Sequence, residues 1–340
     1  ESNPIEDESL DDYFTLIPVE MNKMVTAACE GLDLSPKLVG RTKNFFALGI
    51  LFYMYDRPLD ATEAWLKKKF KGKDAIIEAN TRALNAGYNY GDTTELFMTR
   101  YKVEKANLPS GTYRNMNGNL ATSLGLLAAS QRSGLKLFYG GYPITPASDI
   151  LHTLAIWKHF GVQTFQAEDE IAGIASVIGA AFAGKLAVTA TSGPGIALKG
   201  ESLGLGVITE LPLVVINVQR GGPSTGLPTK TEQSDLNQAL YGRNGEAPLP
   251  VIAPATPGDC FYAAYEACRI ALKFMTPVML LSDGYLANGS EPWKIPNVDD
   301  LEDIDVKFTH DKNSENHFLP YLLYNKILKK LVYISFHHLV

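Results

Sequence analysis

The sequence predicts an α/β fold, a parallel sheet with helices on both faces, preceded by a mainly helical segment. Two observations carry that prediction. From Val19 to about Tyr101, apolar residues recur at three- and four-residue spacing, the period of an amphipathic helix. After a turn-rich stretch, Ala106-Asn107-Leu108-Pro109-Ser110-Gly111, short apolar runs alternate instead with helical ones. The 340 residues are 46% hydrophobic and 20% charged, a globular balance that excludes wholesale disorder and allows about two domains.

In the helical part, residues 45–55 read as a buried core helix. That stretch falls well short of the roughly 20 apolar residues that span a bilayer, so no membrane association is expected. Residues 61–69 form a helix whose lysines suit its C-terminal dipole, and the basic run 67–73 reads as a solvated helix end. Residues 74–86 form the next helix, with Gly87 placed to end it. Strands are then predicted at 135–139, 162–166, 186–191, 213–218, 250–253 and 278–281. Helices are predicted between them at 148–159, 169–183, about 196–209 and 261–274.

Charge and cysteine usage exclude several classes. A net charge of -6 lacks the concentrated basic face that nucleic acid requires. Three scattered cysteines, Cys29, Cys260 and Cys268, form no CxxC pair, so neither a disulfide framework nor a zinc or iron–sulfur site is expected within the chain. The acidic start, residues 1–12, is unlike a secretion signal, and cytoplasmic surroundings are expected.

Parallel sheets bind ligands outside the carboxyl ends of their strands, so the strand ends are where chemistry is sought. After the first strand, Gly140-Gly141-Tyr142-Pro143-Ile144-Thr145-Pro146 offers close backbone approach, stiffening prolines and the Thr145 hydroxyl. After the second, Glu168-Asp169-Glu170 opens a small-residue helix. Glu168 and Asp169 read as ordinary dipole partners, whereas the apolar or tiny neighbours of Glu170 suit a desolvated carboxyl that shares a proton with a ligand. The third strand ends in Thr191-Ser192-Gly193-Pro194-Gly195, which has neither dinucleotide-fold nor P-loop spacing. The fourth ends in Gln219-Arg220-Gly221-Gly222-Pro223-Ser224-Thr225-Gly226, where Arg220 is a candidate oxyanion clamp. No histidine lies in these loops and no GxSxG occurs, so a Ser-His-Asp hydrolase and a histidine metal centre are disfavoured.

In that order, and followed by Leu281-Ser282-Asp283-Gly284, these motifs resemble the alpha subunit of the 2-oxoacid:ferredoxin oxidoreductases, most like the 2-oxoglutarate branch. The resemblance runs from about Asn117 to Pro296. Upstream, Asn85-Ala86-Gly87-Tyr88-Asn89-Tyr90-Gly91 resembles the end of the gamma-type domain fused ahead of it in this branch. It implies residues 1–112 as part of that domain with a linker, and 113–296 as a pyrimidine-binding domain of the thiamine-diphosphate-binding type. Residues 297–340 are then a linker and atypical tail, with the family's C-terminal alpha domain absent.

The resemblance also implies roles. Glu170 contacts the pyrimidine nitrogen of thiamine diphosphate and helps the cofactor lose its thiazolium C2 proton, the general acid–base assistance of this chemistry. Tyr142, Pro143, Ser192 and Gly193 shape the cofactor wall, and Thr145 and Arg220 contact the substrate. The diphosphate, its Mg2+ and the [4Fe–4S] clusters are expected on a partner beta subunit. The implied reaction converts 2-oxoglutarate and coenzyme A to succinyl-CoA and CO2, with electrons passed to ferredoxin, in a hetero-oligomer. Pyruvate or branched-chain 2-oxoacids are alternative substrates, and a non-catalytic truncated subunit is the other reading.

Overall fold

The computed structural model describes residues 8–10, 12–94 and 99–306. His310, His317, His337, His338 and the tail at 322–340 lie outside the described residues. The chain divides into two compact units between Pro109 and Ser110.

The first unit is helical. After a short 3-10 turn at Glu8–Leu10 it comprises α1 (Met21–Ala28), α2 (Pro36–Gly40), α3 (Lys43–Met54), α4 (Asp60–Lys69) and α5 (Asp74–Thr93). Proline opens α2, where its missing N–H is harmless, and three lysines close α4. Its small core gathers Val25, Phe46 and Ala83. Helix α3 is less buried than the sequence predicts: Phe46 and Gly49 are fully enclosed, but Leu51 is exposed.

Gly87 does not end α5, which runs on to Thr93. It is buried because α3 and α5 cross there at backbone contact. A Cβ on Gly87 would lie 1.9 Å from the Phe46 carbonyl oxygen, and one on Gly49 would lie 2.1 Å from that of Leu84. Gly87→Ala is therefore expected to destabilise the helix pair by roughly 1–3 kcal/mol. Amide exchange throughout α3 and α5 should speed up, and unchanged exchange would refute the close crossing.

The second unit holds a six-stranded parallel sheet in the order β3-β2-β4-β5-β7-β6. It opens with β1 (Tyr113–Asn117) and α6 (Gly118–Ser133), then β2 (Leu137–Gly141), α7 (Ser148–Ile156), β3 (Gln163–Gln166) and α8 (Glu170–Phe182). There follow β4 (Leu186–Thr191), α9 (Gly193–Leu198), α10 (Gly200–Ile208), β5 (Leu213–Gln219), α11 (Leu236–Tyr241) and β6 (Val251–Ile252). The series ends with α12 (Asp259–Phe274), β7 (Val278–Asp283), α13 (Gly284–Asn288) and β8 (Ser290–Lys294).

Alternation along the central strands divides the core between the two faces of the sheet. Val188, Val214, Ile216 and Leu280 pack with α6, α7 and α12, whereas Ala187, Val215, Met279 and Leu281 pack with α8 to α11. Strands buried on both faces read as continuous apolar runs, which is why residues 186–191 coincide with β4.

Three features depart from the sequence prediction. The helix predicted near 196–209 is two helices, α9 and α10, divided at Lys199. Helix α6 lies outside the predicted series, and β1 pairs antiparallel with β8 as a separate ribbon. Only Met116 of β1 and Trp293 of β8 are buried, so neither strand shows the apolar run that marks the main sheet.

Candidate functional site

Strand β2 runs through α7 to β3 at the sheet's edge, and the chain then returns through α8 to β4 on the other side of β2. Helices α7 and α8 cover opposite faces, so the order reverses between β2 and β4. Such a reversal opens a crevice beyond the carboxyl ends of the two strands. The sequence-predicted residues lie on the loops and helix starts at this end of the sheet.

Asp169 caps α8, its carboxylate accepting from Ala172 N at 2.7 Å, as expected of an acidic residue at a helix start. Glu170, the first residue of the helix, is only 9% exposed. Among the described residues its carboxyl accepts no hydrogen bond and forms no ion pair. Its oxygens are not among the unpartnered atoms sealed from solvent, so the carboxyl reaches solvent and is open to a ligand donor.

Glycine makes room beside it. A Cβ on Gly195 would sit 1.9 Å from Thr191 Oγ1 and 2.9 Å from Glu170 Cγ, so the Thr191 hydroxyl and the Glu170 side chain crowd the same point. The Thr191 and Ser192 hydroxyls and Asn217 Oδ1 are buried without a partner among the described residues. Buried polar atoms that find no partner within the protein suit a polar ligand or water.

Ser192 is the residue before α9 and is fully buried, whereas Gly193 opens the helix and is half-buried. A Cβ on Gly193 would lie 2.8 Å from Asp235 Oδ2. That carboxylate accepts from Asn217 Nδ2 at 2.9 Å, and the Asp235 N–H donates to Gln219 Oε1 at 2.9 Å. Gln219 also donates to the Ser282 carbonyl at 3.1 Å, linking β5 to β7 just before Arg220.

Arg220 is 7% exposed. Its Nη1 donates to the Thr145 carbonyl and its Nη2 to the Thr225 carbonyl, both at 2.7 Å. The structure thus brings Arg220 and Thr145 together, through the Thr145 backbone. The Thr145 side chain is exposed and borders a cavity of about 340 Å³ with Ser148, Asp149, Thr229 and Lys230. Tyr142 is exposed on the same loop and Pro143 is half-buried; neither is joined by a hydrogen bond to Glu170.

Sequence reasoning missed Lys199. It is fully buried, and its Nζ donates to the Glu170 carbonyl at 2.7 Å. Burial lowers its pKa to about 8, against the opposing pull of Glu170 and then Asp169. The available signal was its isolation, as the lone charge between Lys185 and Glu201 in a stretch of small and apolar residues. The three cysteines are free and buried, Cys29 in the first unit and the other two on α12. Burial pushes the Cys260 thiol up to about 12.

A family model described as pyruvate ferredoxin/flavodoxin oxidoreductase matches residues 2–90. The chain is 57% identical over 320 residues to the 2-oxoglutarate oxidoreductase subunit KorA of Mycobacterium tuberculosis, covering 94% of this chain and 48% of that one. It is 47% identical over 180 residues to the 2-oxoglutarate synthase subunit KorA of Archaeoglobus fulgidus, covering 53% of this chain and 50% of that one. Among solved structures, the 2-oxoglutarate:ferredoxin oxidoreductase from Magnetococcus marinus, with 2-oxoglutarate, coenzyme A and succinyl-CoA bound, superposes with a TM-score of 0.72. Identity there is 35%, over 86% of this chain and 49% of that one. The chain spans about half the length of these relatives. A model described as pyruvate flavodoxin/ferredoxin oxidoreductase, thiamine-diphosphate-binding, matches residues 131–330, more than half of the sequence, and the chain belongs to that family.

Proposed function

We propose that this chain supplies the pyrimidine-binding half of the thiamine diphosphate site in a 2-oxoglutarate:ferredoxin oxidoreductase, as its alpha subunit. The observation that carries the reading is Glu170 at the β2–β4 crevice, a buried residue whose carboxyl has no protein partner among the described residues, beside Gly195 and the orphaned Thr191 hydroxyl. The residues fit the group: a carboxyl for a ring nitrogen, small residues for close approach of a flat ring, and hydroxyls for polar edges. Bound there, thiamine diphosphate supplies the carbanion stabilisation that cleavage of a 2-oxoacid requires.

On this reading Glu170 holds or shares a proton at the pyrimidine nitrogen, while Ser192 and Gly193 form the wall beside it. Tyr142 and Pro143 form the outer edge. Thr145 offers its hydroxyl to the substrate carbonyl oxygen. Arg220 already gives one donor from each Nη to backbone carbonyls, and each Nη keeps a second hydrogen for a substrate carboxylate. Arg220→Ala is expected to raise KM for the 2-oxoacid roughly 10–100-fold, the worth of a charge-assisted bond, with little change in cofactor affinity. Unchanged substrate kinetics would remove Arg220 from the site.

A half-site needs a partner. Ile171 and Leu198, the chain neighbours of Glu170 and Lys199, are each 51% exposed, and such apolar surface beside a polar site suits a subunit interface. We assign the diphosphate, Mg2+ and the [4Fe–4S] clusters to a beta subunit docked there, which passes electrons to ferredoxin. Residues 113–296 are taken as the pyrimidine-binding domain, and 1–112 as gamma-type domain and linker. The match over residues 2–90 and the division between Pro109 and Ser110 support that boundary. No helix of the described residues is long and apolar enough to cross a membrane, and the buried free thiols suit the cytoplasm.

The test is co-expression with the beta subunit, followed by a screen of 2-oxoacids with coenzyme A and a viologen acceptor. Reduction that depends on both 2-oxoglutarate and coenzyme A is expected. A preference for pyruvate or branched-chain 2-oxoacids would overturn the substrate assignment, and an inactive complex would overturn the catalytic one.

A further inference from the structure

Lys199 stands at the junction of α9 and α10 with no part of its side chain in contact with solvent. Taking an ammonium out of water is expensive, and an apolar side chain of similar length would fill the space without that penalty. The charge is retained where it meets one acceptor, the carbonyl of Glu170 at the start of α8, at 2.7 Å. That residue also carries the carboxyl for which no protein partner is found among the described residues.

The surroundings locate the ammonium. A Cβ on Gly173, one turn along α8, would lie 3.2 Å from Gly141 Cα and 3.5 Å from Lys199 Nζ. Nζ therefore sits where the first turn of α8 meets the end of β2, inside the crevice at which the strand order reverses. On the strand, a Cβ on Gly140 would lie 2.3 Å from Ser176 Oγ and 3.0 Å from the Gly173 carbonyl oxygen, so glycine at 140 and 173 lets strand and helix approach closely above the lysine. Glu170 and Asp169 are the charged groups that act on it there, and both attract it.

We propose that Lys199 is a positioning residue for Glu170: its buried ammonium holds the carbonyl at the start of α8 and so fixes the backbone that carries the Glu170 carboxyl. The functional consequence rests on the reading of Glu170 as the cofactor-binding carboxyl. The mechanical consequence does not. Without the ammonium the first turn of α8 keeps its Asp169 cap but loses its tie to the α9–α10 junction.

Lys199→Met removes donor and charge at similar length. Lys199→Gln, one atom shorter, cannot make the 2.7 Å bond and tolerates polar surroundings, so it carries the test if the Met variant fails to fold. Two measurements are made on the complex with its beta subunit: amide exchange of Ile171 to Ile174 without cofactor, and the Kd for thiamine diphosphate by calorimetry. Exchange in that first turn is expected to rise about tenfold or more, with the sheet amides unchanged, as for loss of one charge-assisted bond. The Kd should rise by a similar factor, and kcat should fall while KM for 2-oxoglutarate holds.

Unchanged local exchange, or exchange raised evenly across the sheet with an unchanged Kd, would overturn the proposal and leave Lys199 a structural residue. A wild-type complex that binds no thiamine diphosphate would overturn the reading of Glu170 instead, while the exchange measurement still decides the positioning.

Discussion

Glu170→Gln in the complete complex is expected to lower turnover by about 10²–10⁴-fold, the usual contribution of a general acid–base group. The amide has the shape of the carboxyl, so the crevice beside Gly195 and Thr191 is not refilled and no cavity opens. It cannot hold or share a proton at a ring nitrogen, and the only other property the substitution removes is the negative charge. Loss of one acidic residue from the first turn of α8 costs about 0.3–1 kcal/mol of helix-dipole stabilisation. Folding and association with the beta subunit should therefore survive. The measurement that isolates the role is deuterium exchange at C2 of the bound cofactor, expected to become undetectable in the variant. Normal C2 exchange would sink the assignment whatever happened to turnover.

The second large effect is expected from a methyl group. In Gly195→Ala the new Cβ would stand 1.9 Å from Thr191 Oγ1, 3.1 Å from Thr191 Cβ and 2.9 Å from Glu170 Cγ. None of these atoms belongs to the free end of a flexible surface chain. Thr191 is the last residue of a fully buried strand, and Glu170 is anchored at a helix start. The start of α9 must move away from β4, or Glu170 must leave its place. A loss of roughly 1–3 kcal/mol in stability is expected, as for overpacking elsewhere in protein cores. Turnover should fall by about 10²-fold, because small displacements of a reacting group are punished that heavily. Gly204→Ala on α10 is the control. Nothing lies within 4 Å of its Cβ, so it should keep full activity and gain about 0.5–1 kcal/mol. Equal effects from the two substitutions would refute the close approach at Gly195.

The sheet and its strand ends were legible because both are written locally. Runs such as Leu186-Ala187-Val188-Thr189-Ala190-Thr191 announce a strand buried on both faces, and a parallel sheet collects its loops at one end. Glu170, Thr145 and Arg220 could be singled out from that rule and from residue type, whereas Ser192 came only with the family resemblance. Gly87 shows where local reading fails. A glycine after a helical stretch looks the same whether it ends the helix or lets another helix pass at backbone contact, and only the partner helix distinguishes the two. The β1–β8 ribbon was hidden for a related reason, since each strand buries a single residue and finds its partner at the far end of the unit.

By itself, the order of residues determined the alternation of strand and helix, the end of the sheet at which the candidate residues gather, and the residue types available there. Those properties follow from hydrophobic period and side-chain chemistry, which act between near neighbours. Only the tertiary structure decided that Glu170 is buried while its carboxyl finds no protein partner among the described residues, that Arg220 is already engaged by two carbonyls, and that Lys199 reaches beneath α8. Burial and pairing are set by what another segment brings to the same place, and no local pattern records whether a lone lysine meets water or a carbonyl.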